Sequence, residues 1–428
     1  MCGIAGFVGP GDRAVLRSMT DAIRHRGPDA EGHWVDESAG VFLGHRRLSI
    51  VDLSGGAQPM WTRDGRIGVV FNGEIYNHAE LRAELKARGC EFLTDHSDTE
   101  VLLHGYAEWG DAFVERLNGM WAFVIYDRTR HRLFGSRDRF GKKPLYYFHE
   151  SGAVGTSCFG FASELPALLA HPRCPREVSP LSLKKYFAYC YIPAPRSIYE
   201  RVWKLPGGHS FSYELDPVAA VESDAPPRGT LKAWRWWEFV LEPSDVAAVY
   251  DRRTSPGEKS PAVTDRRYRN VDALCEQIRA TLERAVQLRL MSDVPLGVFL
   301  SGGIDSSAIA ALAAKHVPAG QLNTFSIGFN ELSFDESSYA RLIAQKLGTQ
   351  HREDILDLDK SVALLPDIIA RLDEPLGDGS LLPTFLLSRF TRQHVTVALG
   401  GDGGDELFAG YDPFRALRRA ERYARLVP

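Results

Sequence analysis

A thiol stands at the second position of the chain, in Met1-Cys2-Gly3-Ile4-Ala5-Gly6-Phe7, and it becomes the terminal residue once the initiator methionine is removed. Cys2 then carries an α-amine of pKa about 7.7 to 8.0 beside its own thiol, so one residue can supply both nucleophile and general base. A thiolate attacking an amide carbonyl needs donors where the oxyanion develops. Asn72-Gly73 offers a side-chain amide and a backbone N–H that glycine leaves open. Arg47 can fork onto a carboxylate, and Glu74 and Asp98 can hold an ammonium. Together these are the groups needed to grip a free amino acid. Each also has a plainer reading: the cysteine as a small buried hydrophobe, Asn-Gly as a hairpin turn, the arginine and acids as solvated charges.

A second set lies in the other half of the chain. Ser301-Gly302-Gly303-Ile304-Asp305-Ser306-Ser307 follows an apolar run at 297–300, and Gly400-Gly401-Asp402-Gly403-Gly404-Asp405-Glu406 follows another at 395–399. Glycines between a buried strand and a helix N-terminus leave N–H groups pointing outward, and the helix dipole adds to them, so pyrophosphate fits there. The lysine of GxxxxGKS/T is missing, which excludes the common P-loop. Asp305 and Asp405 are candidates to hold Mg²⁺ on the phosphates.

The elements that must position these groups differ between the halves. Val15, Leu16, Met19, Ala22 and Ile23 predict a helix that stops at Arg26-Gly27-Pro28. Short strands are predicted at 41–43 and 48–51, separated by His45-Arg46-Arg47, then at 67–71 with a turn at Asn72-Gly73. A helix capped by Asn77 with Glu80 in a capping box, a strand at 91–94, a helix capped by Asp98 or Ser97, and strands at 120–126, 131–135 and 145–148 complete an α+β domain over 2–172. Residues 173–269 read as a connecting region: a helix from Ser179-Pro180 with Leu183, Phe187 and Tyr191 on its apolar face, mobile loops at 216–230 and 242–261, and Trp234-Arg235-Trp236-Trp237 as interdomain packing. From 270 to 428 long helices alternate with single apolar strands (297–300, 323–329, 395–399), the pattern of a doubly wound parallel sheet. Ligands bind outside the carboxyl ends of such strands, where both glycine-rich loops fall.

The 428 residues, 44% hydrophobic and 25% charged with a net charge of −4, describe an ordinary globular protein without the basic excess of a nucleic-acid or anionic-membrane binder. No signal peptide or spanning run is visible, and six scattered cysteines form no CxxC pair, so a cytoplasmic location without zinc or disulfides is expected.

MCGIAGF at the terminus, HRGPD at 25–29, RLSIVD at 47–52, NGEIYN at 72–77 and SDTE at 97–100 resemble the glutaminase domain of class II, N-terminal-nucleophile glutamine amidotransferases. SGGIDSS, the preceding DVPLGVFL and the later GGDGGDELFAGY resemble the ATP-pyrophosphatase domain of glutamine-hydrolysing asparagine synthetases, so the resemblance covers essentially the whole chain. It implies a sandwich of two antiparallel sheets between helices, followed by the doubly wound parallel-sheet domain. It implies that Cys2 hydrolyses glutamine through a thioester, that Asn72 and Gly73 form the oxyanion hole, and that Arg47, Glu74 and Asp98 bind the glutamine. In the second half it implies that ATP is contacted by Phe299, Ser301, Gly302, Gly303, Asp305, Ser306, Ile327, Gly400 and Gly401. A carboxylate, aspartate in the family, becomes its acyl-adenylate, and ammonia passed inside the protein turns this into the amide. A homodimer is among the assemblies to be expected of such a chain.

Two departures bear on the expectation. Asp402 stands where the family's asparagine synthetases carry a glutamate tied to adenylate formation, which opens an alternative acceptor on a sugar, peptide or polysaccharide precursor. Only a short segment follows Tyr411, so the synthetase domain is expected to be incomplete at its C-terminus, and a glutaminase-only or binding protein is the third reading.

Overall fold

A computed structural model of the chain describes residues 1–150, 157–215, 229–240, 263–330, 335–356 and 361–426. They form two compact units, one of 1–257 together with 369–378, the other of 258–368 and 379–428. In the first unit two six-stranded antiparallel sheets face each other. One runs Val202–Lys204, Tyr146–Glu150, Cys158–Ala162, Gly3–Val8, Val41–Arg47, Ala30–Asp36 across its width. The other runs Gly229–Arg235, His209–Leu215, Arg132–Arg137, Gly119–Asp127, Ile67–Ile75, Met60–Trp61.

Successive side chains on a strand point to opposite faces, and here both faces are covered. Ile4 and Val8 join Val70, Val124 and Phe211 in the core between the sheets. Ala5 and Phe7 turn the other way, beneath the helices Arg13–Ala22 and Leu165–Leu169. Val69, Phe71 and Ile75 turn outward from the second sheet, under His78–Ala87 and Glu100–Trp109. The result is four layers, helix, sheet, sheet and helix, with three apolar interfaces. Each fully buried Phe, such as Phe7 or Phe123, contributes about 1.5–3 kcal/mol by leaving water.

Burial on both faces also explains where local reading fails. Val41–Arg47 is one strand that includes the basic trio, with His45, Arg46 and Arg47 all buried, and 48–51 is a loop. Ile67–Ile75 runs straight through Asn72-Gly73, which pair with Ala122 and Trp121, so the expected turn is a strand interior. A Cβ on Gly73 would stand 2.2 Å from the Met120 carbonyl oxygen, a close approach that only glycine permits. Residues 91–94 form no strand; the Glu100 carboxylate takes the Leu93 and Thr94 N–H groups instead. Asn77 caps nothing with its side chain, which bridges Arg116 O and Asn118 N at 3.0 and 2.9 Å. Thr99, not Ser97 or Asp98, precedes the helix Glu100–Trp109. Ser179 does cap Pro180–Tyr189, but Leu183, Phe187 and Tyr191 on that helix and just after it are exposed.

The expected mobile loops lie outside the described residues except at 229–230, which open a strand of the second sheet. Trp234 and Trp236, expected as interdomain packing, pack on the first unit's own core, with the Trp236 ring 5.8 Å from Trp121.

The second unit is a four-stranded parallel sheet in the order Gln350–Leu356, Asn323–Phe329, Leu296–Phe299, Val397–Leu399. The helices Val263–Arg289, Ile304–Ala314 and Ser337–Leu347 contribute one core, around Val298, Ala310 and Ala340. Leu381–Thr391 brings Phe390 to 6.1 Å from Phe325. Residues 304–307, expected as loop, are the first turn of a helix.

Candidate active site

Cys2 immediately precedes the strand Gly3–Val8, at the end where Gly3 pairs with Arg46. Its thiol lies against the peptide of Leu48, donating to the carbonyl at 3.6 Å and accepting from the N–H at 3.4 Å. Burial pushes the thiol's pKa up; the Leu48 N–H, the terminal amine and Arg47 pull it down, while Asp98 adds to the rise. The terminal amine here belongs to Met1, whose Sδ accepts from Lys143 Nζ at 2.9 Å. Lys143 is buried, and burial with Arg26 beside it holds its ammonium down to about 8 despite Glu74 and Cys2.

The loop under the thiol is fixed from several sides. Arg47 donates to Leu53 O at 2.9 Å and to Asp52 O at 2.5 Å, and Asp29 Oδ2 accepts the Ser49 N–H at 2.8 Å. His25 to Asp29 thus acts as a clasp: Asp29 holds the loop, and Arg26 Nε donates to the Cys2 carbonyl at 2.9 Å. Arg26, Asp29 and Lys143 are site residues that no local spacing singled out, although the HRGPD motif contains two of them.

Asn72 is 1% exposed, and neither its Nδ2 nor its Oδ1 meets a protein partner. A buried polar group without a partner is uncommon and calls for an explanation. Three residues along the strand, Ile75 donates its N–H to Asp98 Oδ2 at 3.0 Å, and burial pushes the Asp98 carboxyl up. Glu74 is half-buried between them. The sequence set of Cys2, Arg47, Asn72, Gly73, Glu74 and Asp98 is therefore gathered in one unit, with the charges of Arg47 and Asp98 felt at the thiol.

In the second unit both glycine-rich loops follow adjacent strands, Leu296–Phe299 and Val397–Leu399, at their carboxyl ends. The first loop is braced internally: Ser306 Oγ bonds Ser301 Oγ at 3.0 Å and accepts the Ser301 N–H at 3.2 Å. Gly302, at φ +88°, approaches the helix Ser337–Leu347 so closely that a Cβ would lie 2.6 Å from Ala340 N. The second loop packs on the first: a Cβ on Gly401 would stand 2.9 Å from Ser306 N, and one on Gly404 2.5 Å from the Asp305 carboxyl. Phe299 lies against Gly400, 3.8 Å from where its Cβ would be, and Ile327 is half-buried one strand over.

Asp305 and Asp405 each occupy the first turn of a helix. Asp405 Oδ1 is turned towards Gly410, and the Asp402 carboxylate folds back over Gly400. Among the described residues no group of three or more His, Cys, Asp or Glu side chains is arranged for a metal. A pair of carboxylates is nonetheless the donor set that suits Mg²⁺ shared with phosphate oxygens. Among the described residues no helix is long and apolar enough to cross a membrane, and all six cysteines are free thiols.

Residues 1–221 match the family described as glutamine amidotransferase domain, and 277–428 match asparagine synthase. The glutamine-hydrolyzing asparagine synthetase 1 of Bacillus subtilis (strain 168) is 35% identical over 422 residues, 97% of this chain and 60% of that protein. A provisionally named glutamine-hydrolyzing asparagine synthetase of Mycobacterium bovis is 36% identical over 97% of this chain and 61% of its own length. One of Methanocaldococcus jannaschii, also provisionally named, is 34% identical over 96% of this chain and 76% of its own length. The chain thus spans about three fifths of the first two relatives. With both domain matches in one order and these identities along nearly all its length, the chain belongs to the glutamine-hydrolyzing asparagine synthetase family.

Proposed function

We propose that the chain is a glutamine-dependent, ATP-consuming amide ligase, with aspartate as acceptor and asparagine as product. The observation that carries the glutamine half is Asn72, a buried amide with neither atom partnered, which an incoming oxyanion would complete. After removal of Met1 the Cys2 amine takes the thiol proton as sulfur attacks the glutamine side-chain carbonyl. Asn72 and the Gly73 N–H hold the oxyanion, and the proton leaves with ammonia. Water then hydrolyses the thioester to glutamate. Glu74 and Asp98 hold the α-ammonium of glutamine. Arg47, already gripping the carbonyls of Asp52 and Leu53, shares its fork with the α-carboxylate.

In the second unit the loop from Ser301 to Ser306 and the Gly400-Gly401 segment cradle the nucleotide phosphates, with Phe299 and Ile327 against the rest of it. Asp305 and Asp405 would hold Mg²⁺, which when bound would supply charge neutralisation to those phosphates. The acceptor carboxylate attacks the α-phosphorus of ATP and releases pyrophosphate; ammonia attacks the resulting acyl-adenylate and releases AMP. Asp402 lies beside the reacting carboxylate. Six free cysteines suit a reducing, cytoplasmic setting.

Asp402 favours a second reading, in which the acceptor is a carboxylate on a sugar, peptide or polysaccharide precursor, because a shorter acid leaves more room at that loop. The test is glutamine hydrolysis with a Cys2→Ala control, followed by AMP and pyrophosphate release with aspartate and with other acids. AMP dependent on aspartate supports the first reading, and AMP with other acids alone supports the second. Hydrolysis without AMP for any acid would overturn the ligase and leave a glutaminase.

A further inference from the structure

Residues 369–378 lie within the stretch matched to asparagine synthase, yet they fold into the first unit, while both flanks belong to the second. This strap is fastened at several points. Glu374 Oε1 accepts the Ile198 N–H at 2.7 Å, and Oε2 is ion-paired with Lys204, whose ammonium also donates to Ile192 O at 2.6 Å. The Gly377 N–H donates to Cys190 O at 2.8 Å. Asp373 Oδ2 accepts the Leu165 N–H at 3.3 Å.

Leu165 follows Glu164, and Glu164 leads to the nucleophile. Its carboxylate takes Arg26 Nη1 at 2.5 Å on one oxygen and His25 Nε2 at 2.9 Å on the other. Arg26, whose side chain is 8% exposed, holds the Cys2 carbonyl with Nε, and its Nη2 is buried without a partner. A continuous line of contacts therefore joins the strap to Cys2. The groups charged or titratable around it are Asp373, Glu374, Glu164, His25, Arg26, Lys204 and Tyr146. Burial, then Glu164, pushes the Asp373 carboxyl up to about 7, with Arg26 pulling the other way.

We propose that Asp373 and Glu374 are positioning residues for glutamine hydrolysis: the strap they anchor sets, through Glu164 and Arg26, where Cys2 stands. Because both ends of the strap run into the second unit, a displacement of those ends reaches the nucleophile. The proposal rests on the glutaminase reading above, and its test separates the two.

An acid pushed above its ordinary value favours the docked, protonated state. Docking of the strap is therefore fully supported below about pH 4, the ordinary aspartate value, and that support is lost as pH rises through about 7.

The experiment compares the full chain with D373N, E374A, E374Q and K204M, each checked for folding by circular dichroism. Three readouts are taken: hydrogen exchange at the Leu165 and Ile198 amides, the rate of Cys2 alkylation by iodoacetamide from pH 6 to 8, and glutamine kcat and KM. E374A and K204M should speed exchange at Ile198, change the alkylation rate at least about three-fold and lower kcat about ten-fold, with KM within about two-fold. E374Q, which keeps an acceptor for Ile198, should recover part of the loss. D373N should remove the pH dependence of the Leu165 protection factor, the intrinsic amide exchange rate divided by the observed one. Faster exchange with unchanged alkylation in E374A and K204M would overturn the proposal, since the strap would then be structural only. Alkylation needs no glutamine, so it decides the matter even if the wild-type chain hydrolyses none, an outcome that would overturn the glutaminase reading instead.

Discussion

The two candidate sites are made of different material. The thiol site is built from side chains walled in by paired strands: Asn72 and Arg47 are buried on strands, Asp98 is buried beside one, and Cys2 stands at a strand end. The nucleotide loops are built from backbone at the ends of parallel strands, where glycines let one loop approach the other and the side chains of Ser301 and Asp402 are exposed. A site of the first kind depends on residue identity, because each group is a specific acid, amide or thiol. A site of the second kind depends on the space left where side chains are missing. Substitution should therefore fail differently in the two units.

The sharpest way to break this contrast is at the nucleophile. Cys2→Ala should lower glutamine-hydrolysis kcat by at least about 10³-fold, since no other thiol is placed to replace it. AMP formation with added ammonia should stay within about two-fold of wild type. Equal loss of both activities would mean that the units are not separable in this way. Asn72→Ala comes next. Removing one oxyanion donor costs about 10²- to 10³-fold in kcat, with KM for glutamine within about three-fold, and steady-state kinetics read the split.

In the second unit the corresponding change adds rather than removes atoms. Gly404→Ala places a Cβ within 2.5 Å of the Asp305 carboxyl, so one loop must retreat from the other. ATP affinity should fall about ten-fold, measured by equilibrium binding, while glutamine hydrolysis is unchanged. A glycine variant that binds ATP normally would show that loop contact is not what forms the cradle.

The same contrast explains what was legible beforehand. The parallel strands read well: 323–329 was expected to the residue, because Phe325, Ile327 and Phe329 recur at every second position, the period of a strand. The edge strand Gln350–Leu356 was missed, since Gln-His-Arg-Glu-Asp carries no apolar pattern and its partnership with Asn323–Phe329 is long-range. In the first unit the motifs pointed to the right residues but to the wrong local structure. Asn72-Gly73 has turn chemistry, yet pairing with Gly119–Asp127 carries it on as strand. Asn77 and Asp98 have capping chemistry, yet Asn77 bridges Arg116 and Asn118 and Asp98 takes the Ile75 N–H. The pair Arg26 and Glu164, 138 residues apart, has no local signature.

Acid offers the gentlest comparison of the two units. His45 is fully buried, bonds Phe71 O at 3.0 Å, and is held down to about 3 by burial. A histidine depressed in the folded state adds stability that is present above its ordinary value near 6.5 and is lost as pH falls towards 3. The loss should reach about 1.4 kcal/mol by pH 5.5. In the second unit His351 is only half-buried and is also lowered by burial, with Glu353 opposing. All eight tryptophans fall within 1–257, so urea unfolding followed by tryptophan fluorescence reads the first unit alone. His45→Gln keeps a donor for Phe71 O and cannot titrate, so its unfolding free energy should vary between pH 6.5 and 5.5 by about 1 kcal/mol less than wild type. An unchanged slope would mean that another buried group of the first unit, with His171 at about 4 the first to examine, takes up the proton.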